Sequence, residues 1–230
     1  MSSRLVLYFS LPFHPAGCPN WYCTGHAALG IDGTVFQVFD PRRLRADFLV
    51  SRMPEEDWLF GDGGFWVDRD PASPRYRHVY LYGRSETRRT VVYYAELDAT
   101  GGEADRIRAA FDAMDLAFLR GELSFRLGRA NCASLVAEAL ATAGLWKPRW
   151  GDRVPALLFR RFLAQGDGDL RTGRWDLPDS ADFQLQRLCW GLGLAHPLRA
   201  MDRIIGRRPG ALAHRGGSAT PGASPESVCG

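Results

Sequence analysis

The stretch GHAALGIDGTVFQVFDP, residues 25–41, constrains the fold more than any other part of the chain. Two runs of strand-forming residues flank Asp32-Gly33, and Asp-Gly is a preferred pair for a two-residue hairpin turn. A two-residue turn fixes the register: Ile31 faces Thr34, Ala28 faces Gln37 and His26 faces Phe39. Side chains at directly paired positions share a face, so His26, Ala28, Gln37 and Phe39 are expected together, with Gln37 diagonal to His26. Asp40 falls on the other face unless a bulge shifts the register.

Around this hairpin the sequence reads as alternating β and α signals. Residues 4–9, 78–82 and 90–97 are strand-like, rich in β-branched and aromatic side chains. Residues 103–118 place Ile107, Ala110, Phe111, Met114 and Phe118 on one stripe at spacings of three and four, which predicts a helix. A second helix runs from Cys132 to Ala143 and stops at Gly144, and a third spans residues 155–165. Residues 42–73 follow neither period and are read as a long surface excursion that walls a cleft.

The chain divides accordingly into a domain over 1–165, a linker and helical extension over 166–208, and a disordered tail of Gly, Ala, Ser and Pro over 209–230. At 230 residues and 46% hydrophobic content it can bury a substantial single core. A net charge of +3 is too mild to argue for nucleic acid as a partner. Its five cysteines are odd in number and scattered, unlike a disulfide scaffold, which points to reduced thiols. Arg4 and the short apolar run behind it are broken by Ser10 and Pro12, so the first segment reads as a strand and not a signal peptide. With no run of about 20 apolar residues, a cytoplasmic protein is expected, and export by a route without a cleaved signal stays open.

Cys132 is the chemical focus. It follows Asn131 at a helix start, where unpaired backbone N–H groups and the positive end of the macrodipole favour a thiolate. A thiol nucleophile also needs a base and donors for the oxyanion that forms on the attacked carbonyl. Of the five histidines, His26 opens a strand just before a well-defined hairpin, a rigid mounting for a base. The amide oxygen of Gln37 is placed to accept the imidazole N–H and aim the other ring nitrogen at Cys132. Taken singly, each residue has a plain structural alternative: a small core thiol, a core histidine, a hairpin glutamine.

GHAALGIDGTVFQVFDP, followed about a hundred residues later by NCASLVAEAL, resembles the permuted papain-like cysteine enzymes, the circularly permuted relatives of NlpC-type peptidases that include the lecithin retinol acyltransferase group. The histidine precedes the cysteine helix here, as in the permuted branch. The resemblance implies an α+β fold in which a small antiparallel sheet packs on the cysteine-bearing helix, with Cys132 as nucleophile, His26 as base and Gln37 as the third polar residue. The acyltransferase relatives carry a second histidine where this chain has Gln37, and Asp40 is the alternative third residue. The activity implied is hydrolysis or acyl transfer at an amide, peptide-like first, or at an acyl ester, without a cofactor or metal ion.

Two other readings use nearby residues. His14, Cys18, Cys23 and His26 are close enough in sequence for a zinc site, without the usual paired spacing, and a zinc-stabilised or non-catalytic binding module would follow. Residues 183–208, with Trp190, Leu194 and Leu198 among several arginines, form an amphipathic segment suited either to an anionic membrane surface or to packing on the core.

Overall fold

The computed structural model describes residues 2–10, 25–41, 47–60, 64–68, 77–80, 91–126, 128–165, 170–176 and 213–214. The chain is an α+β protein. Its hairpin forms as the sequence predicts: strand β2 (His26–Ile31) returns as β3 (Thr34–Val38), with Ile31 opposite Thr34 and Ala28 opposite Gln37. Asp32 and Gly33 both take positive φ, 49° and 82°, the mirror-image turn that matches strand twist and that few residue pairs accept.

Strand β1 (Ser2–Ser10) pairs with β2 on one side and with the long β7 (Val91–Thr100) on the other. The main sheet has the order β4-β3-β2-β1-β7-β8-β9, and its first six strands are antiparallel. Strand β4 is Val50–Pro54, β8 is Arg171–Asp176, and the two-residue β9 (Ala213–His214) joins β8 in parallel. Strands β5 (Gly64–Asp68) and β6 (Arg77–Tyr80) make a separate pair.

Period two sorts the core. Leu5, Leu7, Phe9, Ala27, Leu29, Phe36 and Val38 point to the face covered by helices α2 (Gly101–Leu119), α3 (Cys132–Thr142) and α4 (Pro155–Gln165). Val6, Tyr8, Ala28 and Val35 point the other way, against Phe48, Trp58 and Leu59 from the segment that ends in helix α1 (Glu55–Phe60). The sheet is therefore buried on both faces, which accounts for the apolar run LVLYF in β1.

Helix α2 begins with a reciprocal cap in which Thr100 Oγ1 accepts from the Glu103 amide at 3.3 Å and the Glu103 carboxylate accepts from the Thr100 amide at 2.7 Å. These bonds hold the Glu103 carboxyl below its usual range. Of the predicted stripe of α2, Ile107, Ala110, Phe111 and Met114 are buried and Phe118 is half-buried, and Asp115 interrupts it usefully. Its Oδ1 accepts from the amides of Leu49 and Val50 at 2.8 Å each, anchoring β4 to the helix.

Two expectations are corrected. The described part of residues 42–73 is not a surface excursion: it supplies β4 of the main sheet, helix α1 and β5, with Phe48 and Trp58 among the most deeply buried side chains. The glycine, proline and acidic residues scattered between these short elements hid them. The expected linker also supplies β8, antiparallel to β7, with Gly173 opposite Tyr94. A side chain at Gly173 would collide with the Tyr94 hydroxyl, so the glycine admits the tyrosine. Of the amphipathic segment, residues 183–208 lie outside the described residues, as do Cys18, Cys23 and His14. No helix among the described residues is long and apolar enough to cross a membrane.

Candidate active site

Helix α3 starts at Cys132 because Asn131 caps it. Asn131 is extended (φ −123°), and its Oδ1 accepts from the amides of Ala133 at 3.1 Å and Ser134 at 3.0 Å. Ser134 answers by accepting from the Asn131 amide at 2.9 Å and donating to the Arg129 carbonyl at 2.9 Å. The other half of the Asn131 amide, Nδ2, donates to the carbonyl of Arg153 at 2.8 Å and ties the helix start to the turn at Trp150–Arg153.

Held this way, Cys132 is 9% exposed and packs in the helix-side core with Ala27. Its sulfur meets the backbone amides of Ala27, of Ala133 and of Cys132 itself, all of which favour the charged form. Burial opposes them and wins: the thiol is pushed up to about 11. The expectation that the helix start makes Cys132 a resting thiolate is thereby corrected, because desolvation of the sulfur outweighs the dipole and the amides together.

His26 stands at the entrance of β2, partly buried, directly after Gly25 at φ 79°. A side chain at Gly25 would meet both the Phe9 ring and the Ser10 carbonyl at 2.6 Å, so only glycine lets the chain enter the strand there. In the ladder His26 faces Ser10, and Ala28 faces both Tyr8 and Gln37. Cys132 is thus brought to Ala27, the residue immediately after His26, while His26 itself belongs, by the pleat, with Ser10, Ala28 and Gln37 on the face away from α3, so the fold brings His26 and Gln37 together but does not set His26 against the sulfur.

Gln37 lies where the register argument puts it, diagonal to His26 and 2% exposed. Its Oε1 accepts from the Trp58 indole at 3.0 Å, and its Nε2 is 3.5 Å from Ser51 Oγ, on the neighbouring strand. Asp40 follows β3 by two residues and is partly buried.

Sequence reasoning missed three participants. Trp58 sits in a segment without period. The Arg153 carbonyl is 22 residues from Asn131 and signalled by nothing local. Ser10 closes β1 opposite His26, 1% exposed, and its hydroxyl has no hydrogen-bond partner among the described residues; the strand-end serine in YFS was the only available hint. For the zinc reading, no group of three His, Cys, Asp or Glu side chains placed to hold a metal occurs among the described residues. Compared with protein-family models, with curated proteins and with solved structures, the chain matches none.

Proposed function

We propose that the protein is a cysteine hydrolase or acyl-transfer enzyme of the permuted papain-like type, acting on an amide, peptide-like first, or on an acyl ester. The observation that carries this reading is the meeting of the Cys132 sulfur, at a capped helix start, with the backbone amide of Ala27, the residue after His26. In the reaction the His26 imidazole, at the first position of β2, turns from the Gln37 face to the α3 face, and Cys132 Sγ attacks the carbonyl carbon as its proton passes to that ring. The Cys132 backbone N–H, at the start of α3, contributes to holding the resulting oxyanion. The bond to the leaving nitrogen or oxygen then breaks, the leaving group takes the proton from His26, and water or a second nucleophile opens the thioester. Gln37 or Asp40 orients the imidazole. A thiol protonated at rest has to give up its proton to the imidazole in the same step in which sulfur attacks, so no free thiolate builds up in the enclosed site.

The test is covalent labelling of the full chain with electrophilic amide and ester probes, read by peptide mass. A Cys132 adduct that is lost in Cys132→Ala and slowed in His26→Ala, with both variants folded, supports the enzyme. Turnover that survives in Cys132→Ala removes it. The buried, protonated thiol is the one observation that favours a second reading, a non-catalytic binding module of the same fold, in which no probe labels Cys132 until the protein unfolds.

A further inference from the structure

The turn that receives Asn131 carries a surface that no step of that reaction uses. Lys147 to Trp150 are four consecutive exposed residues, and the Trp150 side chain is 76% exposed. Leu157, on the first turn of α4, is 45% exposed. A side chain built at Gly151 would meet Leu157 Cδ1 at 3.8 Å, so the leucine stands beside the Trp150–Gly151 step. Arg160 follows Leu157 by three positions on the same helix face.

This exposure does not come from a loose loop. Asp152, 2% exposed, accepts from the Trp146 indole at 2.9 Å, the Arg149 amide at 2.7 Å and the Arg161 guanidinium. Arg161 also lies over the Trp146 ring, 4.4 Å from its centroid, and donates to the Lys147 carbonyl. Asn131 fixes the Arg153 carbonyl from the other side. Asp152 is the only acidic residue between positions 139 and 160, and it faces inward. The turn therefore combines a rigidly presented indole and leucine with the exposed Lys147, Arg149 and Arg160 and the half-buried Arg153.

An indole held in water forgoes the burial that an apolar occupant would give it, and the cationic residues flanking it in sequence favour an anionic one. An occupant that meets both must be apolar at depth and anionic above it. Peptides are recognised in grooves or along strand edges, whereas these side chains stand outward from a helical turn. A tryptophan and an aliphatic residue ringed by Lys and Arg match the boundary between headgroups and acyl chains. We infer that the turn at 147–160 docks the protein on a membrane surface rich in anionic phospholipid, with Trp150 and Leu157 entering the interface and the four cations meeting the phosphates. Docking brings the start of α3 toward the bilayer and does not depend on Cys132 being a nucleophile.

The experiment is co-sedimentation of the full chain with vesicles of phosphatidylcholine alone or mixed with phosphatidylserine. Binding is expected only to the mixed vesicles and falls with added salt. Trp150→Ala combined with Leu157→Ala should weaken it at least about tenfold, and Arg149→Gln combined with Arg153→Gln should weaken it at low salt. Cys132→Ala should bind like the wild type, which separates this inference from the catalytic one. Thermal unfolding confirms that each variant is folded. Absence of vesicle binding by the wild type overturns the inference, as does undiminished binding by the Trp150/Leu157 variant. Retention on polyglutamate without vesicle binding would assign the surface to an acidic protein partner instead.

Discussion

The side-chain amide of Asn131 is divided between two structures: its oxygen caps α3 and its nitrogen donates to the carbonyl of Arg153 at 2.8 Å. Replacing Asn131 by Ala removes the cap and leaves that carbonyl without its donor, at a cost of about 2 kcal/mol. Asn131→Asp keeps the acceptor and suits the helix dipole, yet it cannot donate to Arg153. Urea denaturation of both variants should therefore rank Asp between wild type and Ala. Equal losses would mean that the Arg153 contact, and not the cap, carries the stability.

The buried thiol makes stability depend on alkaline pH. In the folded protein Cys132 ionises at about 11, above its ordinary value of 9.0, so between these values the unfolded chain has released a proton that the folded one retains. The stabilisation is full below the unfolded value and is lost as pH rises through the folded one, approaching a loss on the order of 2–3 kcal/mol at the top of the window. Measured by urea midpoints from neutral pH upward, the wild type should decline more steeply than Cys132→Ala. Parallel declines would show that the sulfur is solvated.

Much of this architecture is written locally. Asp32-Gly33 announces the hairpin and its register, the stripe from Ile107 to Met114 announces α2, and Asn131 and Gly144 bracket α3 within a residue of its observed ends. What could not be read depends on distant partners. Strand β8 exists through its pairing with β7, and its Thr-Gly-Arg-Trp sequence has no alternation to give it away. The ionisation of Cys132 follows from how closely Ala27 and the helix-side core enclose it, which no window around Asn131-Cys132 contains. Gln37 shows both cases: the hairpin fixed its position, while its partner Trp58 came from a segment without period.

That partnership separates two roles for Gln37. If it serves only Trp58, then Gln37→Leu strands a buried indole N–H and costs about 1–3 kcal/mol, leaving the pH profile of any Cys132 reaction unchanged. If it also orients His26, the acidic limb of that profile shifts as well. Ser10 offers the internal comparison, because it faces His26 directly across the ladder and its hydroxyl is buried without a partner among the described residues. Ser10→Ala removes an unsatisfied hydroxyl, so it should leave stability unchanged or raise it slightly. A shifted pH profile in Ser10→Ala with an unshifted one in Gln37→Leu would identify the serine as the group that positions the imidazole.

Asp152 is where the docking turn and the fold meet. Its carboxylate accepts from Arg161, from the Trp146 indole and from the Arg149 amide, all inside the core edge between α3 and α4. Asp152→Ala leaves a guanidinium that is largely enclosed and two polar N–H groups without an acceptor, and a buried pair broken from one side costs about 3–5 kcal/mol. Asp152→Asn keeps an acceptor for the indole or the amide but loses the charge that holds Arg161, so an intermediate loss is expected. The double variant Asp152→Ala with Arg161→Met removes the stranded charge along with its partner. It should recover much of the stability lost in Asp152→Ala, measured as the urea midpoint, while leaving the turn at Trp150–Arg153 loosened. Recovered stability together with weakened vesicle binding would show that the carboxylate serves chiefly to present Trp150, and recovery without any change in binding would show that the turn keeps its shape through Asn131 alone.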